Sequence, residues 1–203
     1  GPLLDAMRKA RTEMYGTDPL HSGELARIIN TRQFERLNDL LETARSDGRI
    51  LFGGEVDHQE HMIAPTVIKV DDRSDPLMAD ELFGPLLPML TMQSLDQTLA
   101  EIRREPKPLA LYLFGGSQTQ QDYVLNTTSS GGVCFNDVIM QAGVPDMPFG
   151  GVGGSGMGSY HGRAGFDTFS HQKAVLKRPF RFDFKVRYPP YKLDLNVLRR
   201  LAN

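Results

Sequence analysis

The sequence predicts an α/β fold, a parallel sheet covered by helices, and three observations carry that prediction. From residue 86 onward, apolar runs of strand length alternate with helical patterns and are joined by short connections. At 203 residues, with 40% hydrophobic and 24% charged side chains, the chain can close one sizeable core. No stretch approaches the roughly 18 uncharged apolar residues of a spanning helix.

The elements follow in order. Leu3, Met7, Ala10 and Met14 recur at helical spacing through Tyr15, and Gly16 supplies a stop. A second helix follows Thr31, with Phe34, Leu37, Leu41 and Ala44 as its stripe and Gly48 at its end. Arg49–Phe52 and Met62–Val70 read as strands, the latter rich in β-branched residues. Leu86–Met92 is an apolar strand that Pro88 confines to an edge or a bulge. Ser94-Leu95-Asp96-Gln97 is a capping box opening a helix that ends before Pro106. Leu109–Phe114 is a strand, Gln118–Leu125 a short helix, and Val133–Phe135 a third strand. Phe166–Leu176 reads as a late strand.

Charge and composition limit the function classes. The net charge of −2 gives no global field for nucleic acid, but residues 173–203 alone carry +7, leaving −9 for the rest. One cysteine in the whole chain excludes an internal disulfide framework and fits a reducing, intracellular compartment. Gly1-Pro2 in place of an initiating Met reads as a scar on a piece of a longer chain.

Several motifs carry candidate chemistry. Residues 115–165 hold 13 of the 20 glycines, concentrated between Phe149 and Gly158. Gly151-Val152-Gly153-Gly154-Ser155-Gly156 matches the dinucleotide fingerprint GxGxxG, but neither a strand before it nor a helix after it is in place. A packed glycine loop that lines a site is the better reading. Cys134 has no neighbouring base or cation to lower its pKa and reads as a small strand residue rather than a nucleophile. His58 and His61 have HxxH spacing inside a polar connection, which reads as a solvated loop and not a metal site. His161 stands beside Tyr160 at the far lip of the glycine loop and is open to a structural or a functional role. In Asp80-Glu81-Leu82-Phe83-Gly84-Pro85, a carboxylate and an aromatic ring two residues apart could offer an acceptor for a ribose diol beside a stacking face; a surface acid and a core Phe are the alternative.

Four stretches together resemble the C-terminal part of an aldehyde dehydrogenase of the class-3 or fatty-aldehyde type. They are Ala79–Pro85; Lys107–Tyr112; Ser129–Val133 with Asn136-Asp137; and Pro148–Gly153 continuing through Ser155–Gly158, Tyr160–Gly162 and Phe166–His171. The likeness covers roughly residues 4–191, and the ending Arg187–Tyr191 is similar to fungal members.

The resemblance implies NAD(P)+-dependent oxidation of an aldehyde to a carboxylic acid, with NAD or NADP as cofactor and no metal. Carried over by position, Glu81 would hold the nicotinamide ribose hydroxyls, Phe83 would pack beside the nicotinamide, and Phe149 would lie near it at the catalytic centre. Asn136 would shape the site floor, and Ile139, Ala142, Gly143 and His161 would line the substrate tunnel. The small Ala142 and Gly143 suggest room for a long or bulky apolar aldehyde. No catalytic residue is expected in this chain, because it has no stretch like the family's nucleophile segment.

The expected division is a partial catalytic domain at 1–165, an oligomerisation strand at 166–177 that would make a homodimer, and a basic tail at 178–203. In that tail Phe180, Phe182, Phe184 and Val186 alternate with basic residues, which suits a membrane surface. The expected location is therefore cytoplasmic or membrane-associated. A non-catalytic oligomerisation or interaction module is the competing reading.

Overall fold

Asn30 begins the element around which the first half of the chain packs. Its side-chain oxygen accepts a hydrogen bond from the Gln33 N–H at 2.9 Å, capping helix α2 (Thr31–Ser46). The helix repeats apolar residues every three or four positions, and Phe34, Leu37, Leu41 and Ala44 are all buried. They meet Ile63, Ile68, Val70, Leu77 and Leu86 in one hydrophobic core.

The computed structural model describes residues 1–181, 183, 188–191 and 194–201. The chain forms two compact units, Gly1–Glu101 and Ile102–Asn203.

In the first unit, α1 (Pro2–Tyr15) ends at Gly16, whose φ of 73° is the left-handed region that glycine enters freely. Of its apolar stripe, Met7 and Ala10 are half-buried while Leu3 and Met14 stay exposed. Three strands form a sheet in the order β1 (Ile50–Phe52), β4 (Thr66–Val70), β5 (Leu86–Leu90). β1 runs antiparallel to β4, and β5 runs parallel to it with Pro88 opposite Ile68. Pro88 is thus on an edge strand, where its missing N–H leaves no gap in the ladder.

The single strand expected over Met62–Val70 is broken. β3 (Met62–Ile63) pairs with β2 (Val56–Asp57), and β4 begins only at Thr66. Pro65 has no N–H for a ladder and interrupts the run. α3 (Leu95–Arg104) starts as expected: Ser94 Oγ accepts from the Gln97 N–H at 3.2 Å. The return half of the box is displaced, because Gln97 Oε1 accepts from the Gln93 N–H instead.

The second unit is built on one parallel pair, β6 (Ala110–Leu113) and β7 (Gly132–Phe135), linked through α4 (Gln118–Thr127). A complete capping box formed by Ser117 and Gln120 opens α4, and Val124 buries its apolar face. α5 (Met140–Gly143) and α6 (Gly162–Thr168) are short. The parallel strands expected from residue 86 onward therefore divide between two sheets, β1-β4-β5 and β6-β7.

The strand expected over Phe166–Leu176 is not formed within this chain. Phe166–Thr168 belong to α6, and residues 171–179 carry no regular structure. A strand exists only against a hydrogen-bonding neighbour, and this β-rich segment has none among the described residues. In the basic tail, α7 (Leu195–Leu201) is a helix the sequence reading lacks; Phe182, Phe184 and Val186 lie outside the described residues. Among the described residues no helix is long and apolar enough to cross a membrane.

Candidate active site

The turn holding Glu81 and Phe83 is fixed by two side chains from α2. Arg36 Nη2 donates to the Glu81 carbonyl at 3.0 Å and to the Leu82 carbonyl at 2.7 Å. Gln33 Nε2 donates to the Leu82 carbonyl at 2.5 Å, while Gln33 Oε1 accepts from Arg36 Nε at 3.0 Å. Three carbonyl oxygens of the turn are occupied in this way once the longer bond to Phe83 at 3.4 Å is included. Gly84 sits against Leu37 so closely that a Cβ there would lie 2.3 Å from Leu37 Cδ1. Backbone clamped from one side leaves the side chains to the other.

Both side chains are exposed. Phe83 adopts φ 48°, which a bulky residue rarely enters, and its ring is 74% exposed. It lines an open cavity of about 710 Å³ with Gly84, Pro85, Gln33 and the segment Glu24–Asn30. That volume is in the range of small-molecule sites. The Glu81 carboxylate takes no hydrogen bond from a described residue, so its acceptor capacity is available. Glu81 does not line the cavity itself. A free carboxylate and an outward ring two residues apart suit a ribose diol and a flat heterocycle.

In the second unit the remaining expected residues fall into two groups. The first follows β7. Asn136 turns the chain at φ 58°: its N–H donates to the Leu113 carbonyl at 2.8 Å and its Oδ1 accepts from the Gly115 N–H at 2.6 Å. Ile139 is also left-handed, at φ 66°, and Ala142 and Gly143 follow on α5. Val138, Ile139 and Met140 are all exposed, giving three successive apolar side chains on the surface after β7.

The second group is aromatic. Phe149 and Tyr160 form an antiparallel bridge across the glycine loop, with N–H···O distances of 3.1 and 2.9 Å. The Phe149 and His161 rings stack at 6.1 Å, and Tyr160 meets His161 edge-on at 4.2 Å. His161 Nδ1 lies 3.2 Å from the Met147 carbonyl, which can only accept. Nδ1 is therefore the donor in this contact.

The glycines inside this loop serve packing. A Cβ on Gly131 would lie 2.3 Å from the Gly150 carbonyl, one on Gly150 2.1 Å from the Gly158 carbonyl, and one on Gly151 2.2 Å from the Ser155 carbonyl. Within the GxGxxG match Gly153–Ser155 form a short 3₁₀ turn, and the next α-helix starts only at Gly162. This is backbone against backbone, not a phosphate cradle on a helix N-terminus.

His58 and His61 flank the Phe34 ring at 5.5 and 5.0 Å. No group of three metal-ligating side chains is present among the described residues. Cys134 is half-buried on β7 opposite Tyr112.

The profile of the aldehyde dehydrogenase family matches residues 2–175. The chain belongs to that family. It is 43% identical over 202 residues to aldehyde dehydrogenase family 3 member H1 of Arabidopsis thaliana, covering 99% of this chain and 42% of that one. The solved structure of Staphylococcus aureus AldH in a substrate-bound state superposes with a TM-score of 0.81 at 40% identity, over all of this chain and 44% of that one. Mycobacterium tuberculosis aldehyde dehydrogenase complexed with NAD+ shares the fold alone, with a TM-score of 0.70 at 22% identity over 89% of this chain and 38% of that one. The chain thus spans about two fifths of the length of the relatives it matches.

Gln33 and Arg36 are what the sequence reading missed. They lie three apart on the polar side of α2, a spacing any solvated helix face shows, and nothing local marks their bonds to residues 81–83.

Proposed function

We propose that this chain is the later part of the catalytic domain of an NAD(P)+-dependent aldehyde dehydrogenase acting on a long or bulky apolar aldehyde. The observation that carries this reading is the Glu81–Phe83 turn. Its carbonyls are occupied by Gln33 and Arg36, while its carboxylate takes no hydrogen bond from a described residue and Phe83 is exposed.

A nicotinamide cofactor held by Glu81 and Phe83 would supply the hydride acceptor for aldehyde oxidation. The work of this chain is binding and shaping. Glu81 accepts the ribose hydroxyls and Phe83 offers a flat face that excludes water beside the ring. His161 stacks on Phe149 with Nδ1 held by the Met147 carbonyl, and the small Ala142 and Gly143 beside exposed Ile139 leave width for an apolar chain.

In the full-length enzyme, Glu81→Gln is expected to raise the NAD+ KM by about tenfold with the aldehyde KM unchanged, the loss of roughly one charge-assisted hydrogen-bond pair. An unchanged NAD+ KM overturns the assignment. The isolated 203-residue chain is expected to give no NADH from NAD+ and a medium-chain aldehyde. Turnover that disappears in Cys134→Ser would show instead that Cys134 is the nucleophile.

A second reading concerns assembly. Phe169 and Leu176 are 87% and 93% exposed, in a segment without an in-chain ladder. We infer that residues 166–177 become a strand against a second copy, giving a homodimer. Removing residues 171–203 should convert the dimer to monomer in sedimentation velocity. The basic tail is proposed to meet anionic membrane surfaces from the cytoplasmic side, which co-sedimentation with phosphatidylserine vesicles at low and high salt tests.

A further inference from the structure

The left-handed backbone at Ile139 has a specific support. The Ile139 N–H donates to the Tyr112 hydroxyl at 3.2 Å, and Gln141 Nε2 donates to the same oxygen at 3.2 Å. Tyr112 belongs to β6 and stands opposite Cys134 of β7, so its hydroxyl is carried by the sheet. Gln141 is 8% exposed and packs over Gly132, where a Cβ would lie 3.5 Å from Gln141 Cγ.

A buried amide in so small a helix has one evident use here. Gln141 Oε1 is buried with no protein partner, so the side chain is held in place at the expense of an unmade hydrogen bond. Its Nε2 meanwhile fixes the orientation of the Tyr112 hydroxyl.

β-Branched residues at positive φ are outliers, and such backbone persists only where its surroundings over-determine it. At Ile139 the Tyr112 hydroxyl holds the N–H and the Ala142 N–H holds the carbonyl at 2.7 Å, and of these only the first reaches outside the turn. Asn136, at φ 58°, is held by its own pair of bonds to Leu113 and Gly115, so both ends of the turn are tied to the end of β6. What the clamp exposes is the Ile139 side chain, 68% open between Val138 and Met140.

We propose that Tyr112, gripped by Gln141, is a positioning residue for aldehyde-chain selection. Its hydroxyl sets the backbone of Ile139 and thereby the apolar lip that the hydrocarbon part of the aldehyde meets. The carbonyl end of the substrate is not touched by this device. Its effect therefore grows with the length of the apolar chain. The proposal rests on the reading of Ile139 as a substrate contact.

The test uses the full-length enzyme at saturating NAD+, with kcat and KM measured for propanal and decanal. Tyr112→Phe removes only the hydroxyl. It is expected to raise the decanal KM by about tenfold, as misplaced methylene contacts do, with the propanal KM and the NAD+ KM unmoved. A rise of equal size for both aldehydes marks a merely structural role, and no rise at all removes the role altogether; either overturns the proposal.

Ile139→Ala tests the substrate contact separately from the Tyr112 clamp. If Ile139→Ala leaves the preference for decanal over propanal unchanged, the reading of Ile139 as a substrate contact fails. If that preference shifts while Tyr112→Phe does nothing, only the clamp fails. Should Tyr112→Phe not fold, Gln141→Leu decides by the same criterion. It keeps the Ile139 bond and releases the hydroxyl, so a smaller rise confined to decanal supports the proposal and a uniform or absent one overturns it.

Discussion

The two units of this chain are held together by different physics. In the first, buried aliphatic side chains from α2, β3, β4 and β5 meet in one core, with Leu37, Leu41, Ile63 and Ile68 fully excluded from water. In the second, Val124 and Gln141 are the buried residues among those described, and cohesion comes from close backbone contacts at Gly131, Gly150 and Gly151 and from loop hydrogen bonds. A side-chain core tolerates gradual loss, because neighbours relax into a cavity. A backbone–backbone contact has no such give, so its failures should be abrupt.

The largest effect should therefore come from a single methyl in the second unit. Gly150→Ala would put a Cβ 2.1 Å from the Gly158 carbonyl and 2.9 Å from Ser159 Cα. Neither obstacle is a flexible side-chain end, so the cost should reach about 4 kcal/mol, above the usual range for overpacking. The chain has no Trp, so amide hydrogen exchange resolved by peptide is the suitable measurement. Protection should fall in residues 131–160 and stay in 31–70. Equal loss in both would mean that the units do not fail separately.

Leu37→Ala comes next, at about 3 kcal/mol from lost transfer energy plus cavity. Leu37 also meets Gly84. Gly84→Ala alone would place a Cβ 2.3 Å from Leu37 Cδ1, the movable end of a side chain, and should cost about 1–2 kcal/mol. Leu37→Ala removes that obstacle, so the double variant should be less destabilised than the sum by about 1 kcal/mol in urea unfolding followed by circular dichroism. Additive values would show that the 81–84 turn is not seated on Leu37.

How far the sequence foretold each unit follows the same division. The stripe Phe34, Leu37, Leu41, Ala44 is readable because helical periodicity records burial directly, and all four are buried. Met62–Val70 reads as one strand on its β-branched composition, which does not register that Pro65 lacks the N–H a ladder needs, so two strands stand where one is expected. Phe166–Leu176 has strand composition, but composition cannot supply a neighbour to pair with. In the site, Glu81 and Phe83 stand out by residue type. The Gln33 bond to Leu82, 49 residues away, and the Tyr112 bond to Ile139 leave no periodic trace, being single contacts made only after the chain is folded.

Asn30→Ala removes the oxygen that caps α2 and should cost about 1 kcal/mol. Asn30→Gly should restore most of it, because glycine is nearly as good at that position. A loss near 3 kcal/mol for Asn30→Ala would place Asn30 in the core's cooperative network and not at a helix end.

The smallest effect concerns acid. Burial of the Glu55 carboxyl pushes its pKa up, but the hydrogen bond from Arg11, its own backbone N–H and the Arg11 charge together outweigh this and leave it below its ordinary value of 4.5. Arg11 Nη2 reaches Glu55 Oε2 at 2.6 Å and so ties α1 to the loop before β2. A carboxyl whose folded pKa is depressed contributes stability that is fully present above the unfolded value. That contribution is lost as pH falls from about 4.5 through the folded value. Because Glu55 is 46% exposed, solvent screening keeps the contribution under about 1 kcal/mol. Wild type should therefore exceed Glu55→Gln in stability at neutral pH by that small margin, and the two unfolding curves should converge as the pH drops below the ordinary carboxylate range. A gap that persists in acid would assign the difference to packing of the Arg11 stem, and α1 would then be held by apolar contact like the rest of its unit.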